Sequence, residues 1–191
     1  MELRLLSSPE ERRAFAHNLV ETRLTKGAGF AETARSSVGE AHLAFGRLYG
    51  LYDDESDNPE DMLSGFVLHD LASFPQSYPK PDLTYLPPES VIECGELWAK
   101  APGSARLIRQ AAWILASQKV QAILLYPLLK PWNLSTFYNN GFERVGEPIE
   151  WPYIRTLEGQ KMFVQAMVSE GQNLNQLVAE ASQWGFEPVP T

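Results

Sequence analysis

The chain has 191 residues, 44% hydrophobic and 21% charged, which suits one domain around a single sizeable core. Its formal net charge of −8 argues against a broad nucleic-acid or anionic-membrane footprint and leaves room only for a local basic funnel. A lone cysteine, Cys94, excludes an intrachain disulfide, and neither a signal-peptide pattern nor a bilayer-length apolar run is present, so a cytoplasmic protein with no membrane partner is expected.

Met1, Leu3 and Leu5 alternate with Glu2 and Arg4, the period of a half-buried strand. Ser7-Ser8-Pro9-Glu10-Glu11 then carries a hydroxyl cap, an early proline and first-turn acids, the signals of a helix start. That helix is expected to reach about Lys26 and to stop at Gly27-Ala28-Gly29. Residues 41–52 and 62–71 read as strands of a hairpin, joined by an acidic, turn-rich loop over 53–61. Residues 73–90 hold five prolines and several aromatics and read as a long ordered loop. A strand over 91–99 follows, then a helix whose apolar stripe is Ala105, Leu107, Ile108, Ala111, Ala112, Ile114 and Leu115. Residues 122–126 suit a short buried strand, 133–140 a short helix closed by Gly141, and 142–147 with 161–169 a final strand pair. Asn173 is expected to cap a last helix that carries Leu174, Leu177, Val178, Ala181 and Trp184 on one face and stops at Gly185. The order β-α-β-β-β-α-β-α-β-β-α predicts a mixed sheet covered by helices. Residues 1–170 form the expected domain, and 171–191 a helical extension packed on it.

Lys100-Ala-Pro-Gly-Ser-Ala105 joins the strand over 91–99 to the helix that follows. Strand, glycine turn and helix N-terminus together make a phosphate-binding arrangement, because the first helical N–H groups lack intrahelical partners and the dipole favours negative charge. No metal-ligand spacing is present, and the acidic run over 53–61 lacks the glycine and spacing of a calcium loop. Cys94, in an apolar strand, reads as a buried inert thiol, and Trp98, Trp113 and Trp132 as core.

This order, with the glycine turn after the fourth strand, resembles the GCN5-related N-acetyltransferase superfamily. Its members carry a basic residue or Gln, two variable residues, Gly, one variable residue, then Gly or Ala. Lys100, Gly103 and Ala105 fit, with Lys where Arg or Gln is usual. A second family marker places Tyr, three residues, then Gly-Phe. In Thr136-Phe-Tyr-Asn-Asn-Gly-Phe142 the Gly-Phe fits, but Phe137 stands at the tyrosine position. Tyr138 comes one residue late, about 100° round a helix. The likeness extends to Ser169. Residues 140–148 and 162–169 also resemble the closing strands of acyl-homoserine-lactone synthases, relatives that use acyl carrier protein. Glu93 and Leu97 echo their central strand, while Glu96 stands where they place Arg.

The resemblance implies an α/β (α+β) fold: a mixed, mostly antiparallel central sheet flanked by helices, with strands four and five parallel and splayed. It implies an N-acyltransferase moving an acetyl or longer acyl group from coenzyme A, or from acyl carrier protein, to a small-molecule or protein amine. A homodimer is left open. The N–H groups of Gly103, Ser104, Ala105 and Arg106 would hold the diphosphate beside Lys100, Pro102 having none to give. A backbone N–H within Leu97, Trp98 or Ala99 would polarise the thioester carbonyl. Glu96 and Glu93 are the catalytic base candidates. Three apart in a strand, they face opposite sides unless a bulge intervenes, and Glu96, nearer the turn, is favoured. His69 is a further base candidate, ahead of His17 and His42. Tyr138 is the thiolate acid only if a local change brings it into register. The loop over 74–88 could form one wall of the acceptor pocket. Phe137 also keeps a second reading open, a non-catalytic acyl-coenzyme A-binding or protein-interaction module on the same fold.

Overall fold

The helix-start signals near the N-terminus work as a reciprocal box. Ser8 Oγ accepts the Glu11 N–H at 3.2 Å, and Glu11 Oε2 accepts the N–H groups of Ser8 at 2.8 Å and Ser7 at 3.0 Å. Amides that would lack partners in the first turn are thereby satisfied. Burial opposes the Glu11 charge, but these hydrogen bonds outweigh it and hold the carboxyl below its usual value.

The computed structural model describes residues 1–25, 45–53, 56–74, 80–118, 120–155 and 159–183. In chain order the elements are β1 (Glu2–Leu5), α1 (Pro9–Thr25), β2 (Arg47–Tyr52), β3 (Ser64–Asp70), β4 (Val91–Ala99), α2 (Pro102–Ser117), β5 (Ala122–Leu125), α3 (Pro131–Tyr138), β6 (Glu143–Arg144), β7 (Ile149–Arg155), β8 (Lys161–Val164), β9 (Met167–Glu170) and α4 (Gly171–Ser182). One sheet runs in the order β1-β2-β3-β4-β5-β9-β6, and β7 pairs with β8 in a separate hairpin. Every pairing in the large sheet is antiparallel except β4 with β5. The mixed, mostly antiparallel sheet expected from the sequence is therefore present.

Period-2 alternation sends successive side chains of the central strands into two cores. On one face Phe15 and Leu19 of α1 pack with Val67, Val91, Trp98 and Leu124. On the other, Ile108, Ala112 and Leu115 of α2 and Leu174 and Leu177 of α4 pack with Leu68, Ile92, Cys94 and Ile123. Each fully buried Val, Leu, Ile or Phe among them contributes about 1.5–3 kcal/mol. Among the described residues no helix is long and apolar enough to cross a membrane.

Some expected elements change shape. Strand β7 was not foreseen, because Pro152 interrupts its pattern; the register shift between Trp151 and Arg155 falls around that proline. The single strand expected over 161–169 divides at Gln165-Ala166. There Gln165 Nε2 donates to the carbonyls of Val145, Gly146 and Ala166 at 3.1–3.3 Å. Helix α4 begins at Gly171, two residues before the expected cap, and Asn173 Nδ2 donates to Glu143 Oε1 at 3.1 Å instead. In the edge strand β1 Leu3 is buried, while Met1 and Leu5 are exposed. The Gly27–Gly29 stop, the beginning of the strand expected from residue 41, His42, residues 75–79, the Trp132 side chain, Trp184 and Gly185 lie outside what is described.

Candidate active site

Strands β4 and β5 share only a short ladder: Val91 opposite Ala122, Ile92 opposite Ile123, Glu93 opposite Leu124. Residues 94–99 of β4 continue along β3 beyond the last rung of the β5 ladder. The cause lies past the end of β5. Pro127 has no N–H to offer β4, and its carbonyl accepts the Gln165 N–H at 3.0 Å. Leu128 bridges to Val164, and Leu129 N–H donates to the Phe163 carbonyl at 2.9 Å. The chain after β5 thus follows the β7–β8 hairpin and leaves β4, opening a fork.

On the β4 side of the fork the strand bulges. Between Gly95 and Trp98 it carries two residues, Glu96 and Leu97, against Phe66 alone on β3. Glu96 takes φ +50°, the one positive φ among described non-glycine residues. A non-glycine residue held there costs about 1–2 kcal/mol, strain of the kind that clusters at functional sites. Past the bulge the Lys100 N–H donates to the Leu63 carbonyl at 2.9 Å, so alternation turns the Ala99 amide away from β3 and toward the fork, with Leu97 in the bulge beside it. Trp98 itself is core, edge-on to Phe15 at 5.7 Å, and by the same alternation its amide faces β3 rather than the fork.

Helix α2 opens directly after. Its N-cap, Ala101, has no side-chain cap, and Pro102 occupies the first turn. The Ala105 N–H already bonds to the Ala101 carbonyl at 3.1 Å, which leaves Gly103 and Ser104 as the amides ahead of the helical ladder. Ala105 is thus less available than the sequence suggested. The Ser104 hydroxyl turns back to Ala101 O at 2.9 Å, and Lys100 Nζ donates to Glu60 O at 3.1 Å. Nothing lies within 4 Å of a Cβ built on Gly103, so the approach to these amides is open. Further along α2, Arg106, Arg109, Gln110 and Trp113 border a cleft of about 310 Å³, closed by Asn140 and Glu180. Burial, then the charge of Arg106, pull the Arg109 guanidinium below its ordinary value.

A β4–β5 fork, a bulge on β4 and an uncapped glycine turn into α2 now stand together. The structure aligns with the FeeM N-acyl amino acid synthase from uncultured soil microbes at a TM-score of 0.62, with 13% identity over 95% of this chain and 97% of that one. The chain has a GCN5-related N-acetyltransferase fold. Spermidine N-acetyltransferase from Vibrio cholerae, solved with CoA and spermine, aligns at 0.57, with 13% identity over 91% and 97% of the two chains. Ribosomal-protein-alanine N-acetyltransferase from Brucella melitensis aligns at 0.55, with 8% identity over 90% and 100%. No protein-family model matches the sequence, and neither does any curated protein.

Within this N-acetyltransferase fold the two glutamates separate. Glu93, 3% exposed, faces the α1 side with its Oε2 2.7 Å from His69 Nδ1; His69, 6% exposed, lies edge-on to Phe74 at 5.8 Å. Two glycines make room for the pair. A Cβ on Gly95 would collide with Glu93 Oε1, and one on Gly46 would collide with Val67 Cγ1 and stand 2.8 Å from His69 Nε2. Glu96, on the bulge, is half-buried. Burial and the Glu93 charge raise the Cys94 thiol well above its ordinary value, as an inert thiol requires. The sequence did not reveal that His69 and Glu93 meet. Their β3–β4 register depends on the loop between them, which the strand pattern leaves free. Nor did it single out Tyr126, whose phenol burial and then the Glu93 charge hold well above the ordinary range. Phe137 packs edge-on to Phe142 at 6.0 Å on the α2 side. Tyr138, 41% exposed, lies beneath the Arg144 guanidinium at 5.4 Å and lines a groove with Leu129, Pro131 and Leu134. Among the described residues no acidic, His and Cys groups gather as a metal site.

Proposed function

We propose that the chain is an N-acyltransferase that moves an acetyl or longer acyl group from coenzyme A to an amine. The observation that carries this reading is the open β4–β5 fork, flanked by a backbone bulge on one side and the α2 amides at its mouth. The diphosphate of the donor is held by the Gly103 and Ser104 N–H groups and the α2 dipole, with Arg106 nearby. The thioester carbonyl accepts from a bulge amide at Leu97 or Ala99, where charge develops as the amine attacks. The acceptor enters on the α1 side, where the Glu93–His69 pair takes its proton; Glu96 on the bulge is the competing base. A net charge of −8 favours the approach of cationic amines. The acceptors named in the similar structures, a polyamine and an amino acid, set the first panel to test.

A calorimetric titration with acetyl-coenzyme A and longer acyl-coenzymes A, followed by thiol release across that panel, tests the reading. Binding with amine-dependent thiol release is expected, and no binding at millimolar donor would overturn it. Glu93→Gln and Glu96→Gln identify the base: the true one loses about 10²–10⁴ in turnover with donor affinity kept. Phe137, which places no hydroxyl on α3 at the family position, favours one alternative, a non-catalytic acyl-coenzyme A-binding module. Binding without thiol release from any amine would support it.

A further inference from the structure

An expelled thiolate needs a proton, and the family position on α3, Phe137, has none to give. Phe137 is packed against Phe142, while the Tyr138 ring lies under Arg144 in a groove lined by Leu129 and Leu134. Another phenol stands at the fork itself. Tyr126 directly follows the last residue of β5, two positions beyond Leu124, which sits opposite Glu93 in the final rung of the ladder. Alternation places it on the face of Ala122 and Leu124, the face that also carries Glu93 and Trp98. Its ring rests against Trp151 of β7 at 5.3 Å.

We propose, on the acyl-transfer reading above, that Tyr126 is the proton donor to the leaving sulfur and that the Glu93–His69 pair recharges it. The amine nitrogen forms its bond to the carbonyl carbon, the C–S bond breaks, and its electron pair leaves on sulfur. The amine's proton passes to the Glu93–His69 pair. The Tyr126 O–H proton passes to the sulfur, and the tyrosinate recovers a proton from the pair. Thioester and amine become amide and thiol, and the protein returns to its starting state. Glu93 of β4 acts on Tyr126 electrostatically and holds His69 of β3 at its Oε2, while Trp151 of β7, against the ring, carries no charge. Burial and that carboxylate keep the phenol protonated before reaction. Arrival of the amine's proton on the pair cancels the negative charge and makes the phenol a better donor when the thiolate appears.

Coenzyme A alone is the probe. The thiol of the bound molecule is titrated by its thiolate absorbance in the parent protein, Tyr126→Phe and Tyr138→Phe. Phenylalanine keeps the ring against Trp151, so the Tyr126→Phe protein is expected to fold. Loss of a hydrogen bond to a thiolate should lower the bound thiolate-to-thiol ratio about tenfold in Tyr126→Phe. It should leave Tyr138→Phe at the parent value. With an acyl acceptor, Tyr126→Phe should lower kcat at unchanged donor affinity, and the loss should shrink with an aryl thioester, whose thiolate leaves unaided. A Tyr126→Phe protein that binds coenzyme A with the parent thiol titration overturns the role of Tyr126 alone. Failure of the parent protein to bind coenzyme A overturns the acyl-transfer reading instead.

Discussion

Gly95→Ala is the sharpest probe of the buried pair. A Cβ at this position would fall on Glu93 Oε1 and stand 2.8 Å from Oε2. Gly95 is not in the left-handed region, so alanine itself is unstrained there. Removing the glycine's freedom in the unfolded chain should stabilise by about 0.4–1 kcal/mol. Against this, the carboxylate must swing off His69 Nδ1 and give up a 2.7 Å charge-assisted hydrogen bond, a loss of about 1.5–3 kcal/mol. The net expectation is a loss of about 1–2 kcal/mol, or roughly 2–8 °C in Tm for a chain of this size. Thermal unfolding followed by circular dichroism on the parent, Gly95→Ala, Glu93→Ala and the double variant checks it. Without the obstructing carboxylate, Gly95→Ala should become neutral or mildly stabilising. Equal losses in both backgrounds would place the clash elsewhere and refute the reasoning.

Gly103→Glu should abolish coenzyme A binding by calorimetry with Tm nearly unchanged, since a Cβ there points into open space and the added carboxylate stands before the α2 amides. Glu11→Ala should cost about 0.5–1 kcal/mol at pH 7 by urea unfolding. Because the folded Glu11 carboxyl lies below its unfolded value, its contribution is present above the ordinary carboxylate range and lost as pH falls through the folded value; the gap between parent and variant should close in acid below that range. Cys94 should resist a thiol-specific reagent in the native protein and react fully in denaturant, and rapid native labelling would contradict its burial.

The strands and helices that position the fork were legible because each carries a local signature. Ser8 and Glu11 announce α1, the apolar stripe with Ile108, Ala112 and Leu115 announces α2, and the run over 122–125 has the length of a buried strand. The glycine turn was legible for the same reason. The meeting of His69 with Glu93 was not, since it depends on β3–β4 register across residues 71–90, and register is a tertiary property. The bulge could be entertained from the spacing of Glu93 and Glu96, but not located. What locates it is Phe66 facing two residues at once. Strand β7 was hidden by Pro152, and the break between β8 and β9 by Gln165, whose amide serves three carbonyls.

The brevity of the β4–β5 ladder bears on how the chain assembles. The strands from β1 to β4 are joined by antiparallel neighbours, as are β5, β9 and β6, so each leaf contains its own pairings. The two leaves meet across three parallel rungs, which form only after α2 has folded back over the sheet. The side chains flanking this seam, Val91, Ala122 and Leu124, are sealed from solvent, so burial contributes most of its cohesion. Pairing across the seam joins residues farther apart in sequence (Val91 with Ala122) than the β2–β3 hairpin does (Arg47 with Leu68), so the amides of Ile123 and Leu124 should gain hydrogen-exchange protection after those of β2 and β3 in pulse-labelling experiments.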